Sequence, residues 1–407
     1  MAWCLLLTLP VVCALLLRWA RCPGRAVVGG AIAGILLGPA IFGRIAPETF
    51  ERAFVGGVEQ RRALNSLQRR QGADVLAAKT AGLEEDALEE MAQRHREERA
   101  PLLKRLDAAR WAHQQPMRIG VALIVALTLL GAAFRQVRER DRRQGLTAPL
   151  SIGVWSSLFP GALAYFGMTW LWRHPPGPAL LAAAAVAIGP WALTRIDREA
   201  ADEAEFGGAH MIQAAGRVAS AIAIVMAACS LVMVRGAAGM LWWLPLLALP
   251  LGWLLPPPEC RKKGSGVVSR REASGEEPVT APPVMGGALE CVFVPLLAAC
   301  VGMRIDIHGH FALWPIIVFV LLSGDGRWTG AFMGAMLPGG RGGMRTMRLV
   351  MGSMACGPTQ LAVAALAAHA WALPASIPYA LLLGAIYIEA SAPFRRIMAR
   401  RLAETEE

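Results

Sequence analysis

An all-α polytopic membrane protein is the fold class that three observations on this sequence predict. Of its 407 residues, 55% are hydrophobic and 17% charged, with a mean hydropathy of +0.43. Apolar runs such as WCLLLTLPVVCALLL, IGVALIVALTLLGAAF and HMIQAAGRVASAIAIVMAACSLVMV are long enough, at about 1.5 Å of rise per residue, to cross a hydrocarbon core roughly 30 Å thick as helices. They lack the alternation of barrel strands, and helices and closed barrels are the only structures that satisfy their own backbone in lipid.

Taken in order, the apolar runs give eleven crossings, near 2–18, 26–43, 117–134, 149–171, 178–194, 210–234, 238–256, 285–303, 311–337, 347–369 and 376–394. The first eighteen residues lack a charged leading region and a small-residue cleavage site, so they read as a span rather than a removed signal. Alternating the connections collects RWARCPGR, RQVRERDRR, LTRIDRE, RKKGSGVVSRR, RGGMRTMR and FRRIMARR on one side. These hold 22 Lys and Arg, against Arg173, Arg235 and Arg304 in the short loops of the other side. The positive-inside rule then puts the amino terminus outside and the carboxyl terminus in the cytoplasm of a plasma or bacterial inner membrane.

Between the spans of residues 1–43 and the first membrane half, 117–256, lies a segment of different composition. Residues 44–116 are rich in Glu, Arg, Gln, Ala and Leu, with expected breaks at Gly72, Gly82 and Pro101. Leu64, Leu67, Leu83, Leu88, Met91, Leu103 and Leu106 recur at helical spacing, as in a solvated, coiled-coil-like hairpin on the outer face, which could also serve a protein partner. A Pro/Gly/Ser-rich cytoplasmic linker, 257–283, precedes the second half, 284–394, and a tail, 395–407.

Composition also narrows the chemistry. The net charge of +11 is accounted for by the topology, and basic residues spread over many loops make no nucleic-acid surface. The eight cysteines have no CxxC and no paired spacing, so they read as small buried hydrophobes. Asp306, His308 and His310 in RIDIHGH, at a span end, read as interface residues rather than metal ligands. P-loop, GxSxG, HExxH and dinucleotide motifs do not occur, so the chain is read as a non-enzyme without cofactor or metal, whose medium is the lipid bilayer.

Two kinds of residue could carry transport chemistry. Helix breaks within spans mark cavities, because freed backbone groups need partners. AIGPWALT carries Gly189, Pro190 and Thr194 in one half, and ACGPTQLA carries Gly357, Pro358 and Thr359 in the other. Ionisable residues inside spans are costly and functional by default. Arg217 lies about 10 Å into its span, Asp325 and Arg327 lie near the middle of theirs in GDGR, and Glu290 and Glu389 lie nearer the inner ends. Arg217 and Asp325 can form a structural pair, or GDGR can be a loop between two shorter helices.

Several segments resemble the cation:proton antiporter superfamily of the sodium/hydrogen-exchanger type. GGAIAGILLGPAIFG is similar to its second span, LTLLGAAFRQVRER to its third, SIGVWSSLFPGALAYF to its GxxxPFxxG span, ECVFVPLLAACVGMRIDI to its PxFF span and GSMACGPTQLAV to its second broken helix. The resemblance implies an inverted-repeat bundle of about 11–12 helices, broken helices that cross, exchange of a monovalent cation for protons, and a homodimer. It also implies an acid in the span after the first broken helix, where this chain has Gly216 and Arg217. Arg327 in GRWTG matches the family's GKxxG. A guanidinium cannot trade a proton for a metal cation, so the expectation is a charge swap, with the acid at Asp325 and the base at Arg217. The alternatives are a non-transporting sensor or assembly subunit, and an anion transporter.

Overall fold

A computed structural model describes residues 2–19, 22, 24–81, 85–138, 147–189, 208–233, 243–254, 289–305, 312–337, 350, 357–369 and 376–404. Every element among them is helical, with no strand. Five helices are long and apolar enough to cross a membrane: Arg25–Ile45, Asp86–Gly131, Pro149–Leu171, Ala214–Met233 and Leu313–Met336. Shorter apolar helices lie at Leu5–Leu17, Pro176–Ala187, Cys291–Gly302 and Ser376–Ala390. Among the described residues the chain is all-helical, with the long apolar helices of a membrane protein.

In chain order the first helices are α1 (Ala2–Trp19), α2 (Arg25–Leu37), α3 (Val58–Thr80), α4 (Glu85–Arg138), α5 (Thr147–Phe166), α6 (Pro176–Ala187), α7 (Gly208–Met233) and α8 (Trp243–Leu254). They are followed by α9 (Val294–Gly302), α10 (Leu313–Leu321), α11 (Arg327–Met336), α12 (Gly357–His369), α13 (Ser376–Ala390) and α14 (Ala392–Glu404). At one end of the bundle, Leu6, Leu37, Met117 and Met303 cluster with Phe54 at the hairpin's base. At the opposite end, a Cβ on Gly24 would lie 2.6 Å from Cβ of Glu389.

The outer segment departs from expectation in its continuity. α3 runs through Gly72, and α4 runs through Pro101 and Pro116 from the hairpin into the bundle as one helix of 54 residues; Gly82 lies outside the described residues. Glycine and proline cost a helix about 1 and 3 kcal/mol. Here a heptad seam overrides them: Leu64, Gln71 and Ala78 are buried at intervals of seven along α3, and Leu106 is buried on α4. Gln71 fixes the register, its Nε2 donating to the His95 carbonyl at 3.3 Å and to Glu98 Oε2 at 3.0 Å, while Arg99 Nε donates to its Oε1. Leu103, expected in the seam, is exposed.

Within the bundle, close backbone approach rests on small residues. A Cβ on Gly30 would lie 2.2 Å from the Pro295 carbonyl oxygen and one on Gly34 2.5 Å from that of Ala299, so α2 and α9 meet through a small-xxx-small face. The centre belongs to two short helices: Leu181 to Ile188 of α6 and Leu361 to Ala367 of α12 are nearly all fully buried. Helices apolar on every side are core helices, and these are the two that carry the Gly-Pro sequences.

Candidate functional site

α6 stops after twelve residues, about 18 Å, partway across a bilayer. Ile188 turns extended, at φ −62° and ψ 135°, and Pro190 next in sequence disfavours helix at Gly189 and offers no N–H to continue the ladder. The last carbonyls of α6 therefore need partners from elsewhere. Side chains from the second half of the chain supply them. Arg327, 1% exposed, donates through Nη2 to the Val186 carbonyl at 2.6 Å and to that of Ile188. Thr359, in the first turn of α12, donates through Oγ1 to the Gly189 carbonyl at 2.9 Å. A buried cation at a helix C-terminus also meets the negative end of its dipole.

The two Gly-Pro sequences thus meet: Gly189 ends one short helix, Gly357 and the buried Pro358 open the other, and Thr359 bonds across. Proline suits a helix start, where its missing N–H is not needed. Thr359→Val keeps the shape and removes the donor, so it is expected to lower stability by about 1–3 kcal/mol, read from the thermal unfolding of purified protein.

α7 closes the junction from a third side. A Cβ on Gly189 would lie 2.1 Å from the Gly216 carbonyl oxygen and 2.8 Å from Ser220 Oγ. Gly216 precedes Arg217, which is half-buried, so the segment expected to hold the ion-binding position lies against the break. Ser220 is 1% exposed and its hydroxyl has no hydrogen-bond partner among the described residues. Beside this junction, Gln360 Nε2 donates to Ser323 Oγ at 2.6 Å and to the Leu381 carbonyl at 3.4 Å, and Ser323 donates to the Phe319 carbonyl at 2.6 Å.

Asp325 lies elsewhere. The ninth crossing is one helix through a π-helical turn, Leu322–Gly326, so GDGR is not a loop. Two residues of helix turn the direction by about 200°: Arg327 faces the junction, and Asp325 is exposed on the far side, accepting from Tyr387 O–H at 3.4 Å. Ion pairs such as Arg62–Glu48 and Arg94–Glu90 lie on the outer hairpin, and the hydrogen bond that Asp325 accepts is from Tyr387. The base at the junction is Arg327, and the acid is on the opposite face of the same helix.

The remaining candidates separate. Pro190, Thr194, Asp306, His308 and His310 lie outside the described residues. Glu290 falls in a π-helical turn, Leu289–Phe293, before α9, and Glu389 is half-buried beside Gly24, at the bundle end opposite the hairpin. His369, at the last residue of α12, is buried between the Cys300 carbonyl, 3.2 Å from Nε2, and Arg304 Nη2, 3.3 Å from Nδ1. Burial, helped by Arg118, lowers the Arg304 guanidinium to about 10. The sequence reading did not anticipate Ser220, Gln360, Ser323 and Tyr387; Gln360 adjoins the second Gly-Pro sequence and Ser323 adjoins GDGR, the signals that could have found them. No protein-family model matches this chain, and no curated protein matches it either.

Proposed function

We propose that the chain is a secondary transporter of antiporter-like architecture, exchanging a monovalent cation for protons across a plasma or bacterial inner membrane. The observation that carries this reading is the Thr359–Gly189 hydrogen bond, which joins the end of one short buried helix to the start of another, one from each half of the chain. Interrupted helices meeting inside a bundle are how transporters expose backbone polar groups to a substrate. Arg327 is a fixed charge: committed to the α6 carbonyls, it balances the helix end in every state and does not titrate. Asp325 takes up and releases the proton. It lies about 18 Å along its crossing, is exposed, and accepts a hydrogen bond from the neutral Tyr387 hydroxyl, so its charge is available to a cation.

Proteoliposomes holding a pH dye test the proposal. An imposed sodium or potassium gradient is expected to move protons with the wild type, and Asp325→Asn to slow that movement at least tenfold with unchanged unfolding temperature. Wild-type vesicles that move no protons, or an Asn variant as fast as wild type, would remove cation exchange. A second reading rests on charge: the buried charged side chains among the described residues include Arg118, Arg327 and Arg395 and no carboxylate, which suits an anionic substrate. Anion uptake that survives Asp325→Asn would select it.

A further inference from the structure

We propose that α14 is a binding site for the phosphate of an anionic phospholipid, centred on Arg395. The helix follows α13 after Ser391 alone, with the Arg395 amide donating to the Ser391 carbonyl at 3.0 Å. It therefore begins where a crossing leaves the bilayer, at the end opposite the hairpin. Its sequence, APFRRIMARRLAE, is basic and amphipathic. Phe394 and Ile397 are 63% and 54% exposed, three residues apart on one face, and Arg401 extends that face one turn on. Exposed apolar side chains on a helix of basic sequence at a membrane surface describe a helix lying in the interface, with Phe394 and Ile397 in the acyl boundary and Arg401 at headgroup level.

Arg395 makes this more than a surface helix. It is 5% exposed, and neither Nε nor Nη1 has a hydrogen-bond partner among the described residues. A buried guanidinium with unused donors requires an acceptor. It stands in the first turn of α14, which carries no acid, so it adds its charge to the positive end of the helix dipole, an arrangement that only an anion relieves. A phosphodiester presents the paired oxygens that a guanidinium fork grips. Phe394 and Ile397 specify the lipid source over free phosphate, because they need an acyl surface against which to pack.

The test uses the full-length protein in detergent with added phosphatidylglycerol, phosphatidylcholine or inorganic phosphate. Thermal unfolding is followed, and bound lipid is counted by native mass spectrometry. Phosphatidylglycerol is expected to raise the unfolding temperature and stay bound, Arg395→Gln to reduce its retention about fivefold, as for loss of one basic contact at a membrane surface, and Arg395→Lys to keep most of it. Equal retention of the two lipids by the wild type overturns the proposal without any variant. Undiminished retention by Arg395→Gln overturns it as well, and an equal rise with inorganic phosphate assigns the site to a free anion instead.

Discussion

Arg327→Leu is expected to destabilise the protein by about 3–5 kcal/mol, the cost of breaking a buried charged interaction from one side. The leucine fills part of the volume but leaves the Val186 and Ile188 carbonyls at the end of α6 without their donor, in a bundle interior that water does not readily supply. Arg327→Lys keeps the charge but is a shorter, more strongly hydrated side chain that must place one ammonium where Nη2 now meets both oxygens, so it falls between the two. Thermal unfolding of purified protein in one detergent ranks the three. A leucine variant as stable as wild type would mean that the α6 carbonyls have another partner.

Gly189→Ala is expected to be the most damaging glycine-to-alanine change among the described residues. Its Cβ would lie 2.1 Å from the Gly216 carbonyl oxygen, backbone that no rotamer change can move, so α6 and α7 must separate. Overpacking costs 1–3 kcal/mol or somewhat more, and here it also displaces the carbonyl that Thr359 holds. A decrease of about 3 kcal/mol together with loss of transport is the outcome to look for. Gly72→Ala is the control: nothing lies within 4 Å of its Cβ, and alanine inside a solvated helix is expected to gain up to about 1 kcal/mol. If both alanines cost the same, close approach at Gly189 is not what holds α6 against α7.

The helical membrane architecture was legible in the sequence because apolar length is a local property. So was the pairing of the two Gly-Pro sequences, since proline states in one residue where a helix must stop or start. Gly72 and Pro101 misled for the same reason in reverse: they punctuate locally, whereas the heptad seam from Leu64 through Ala78 is a property of two helices together. The partner of Asp325 was also out of reach. Tyr387 lies 62 residues away, and the attraction of opposite charges made Arg217 the obvious mate. The two-residue spacing of Asp325 and Arg327 did contain the information that they face opposite ways, once GDGR is one helix and not a loop. Ser220 carries no sequence signal; its hydroxyl gains meaning only from Gly189 beside it.

The meeting of α6, α7 and α12 is central to the antiporter-like reading, and Ser220 is the residue that reports on whether it opens to water. In a background with the eight native cysteines replaced, Ser220→Cys should react in reconstituted vesicles with a membrane-impermeant thiol reagent from each face of the membrane. The transported ion should slow both reactions. A cysteine that stays unmodified from both faces, while Ser391→Cys at the bundle's end reacts readily, would mean that the crossing is closed packing and not a path.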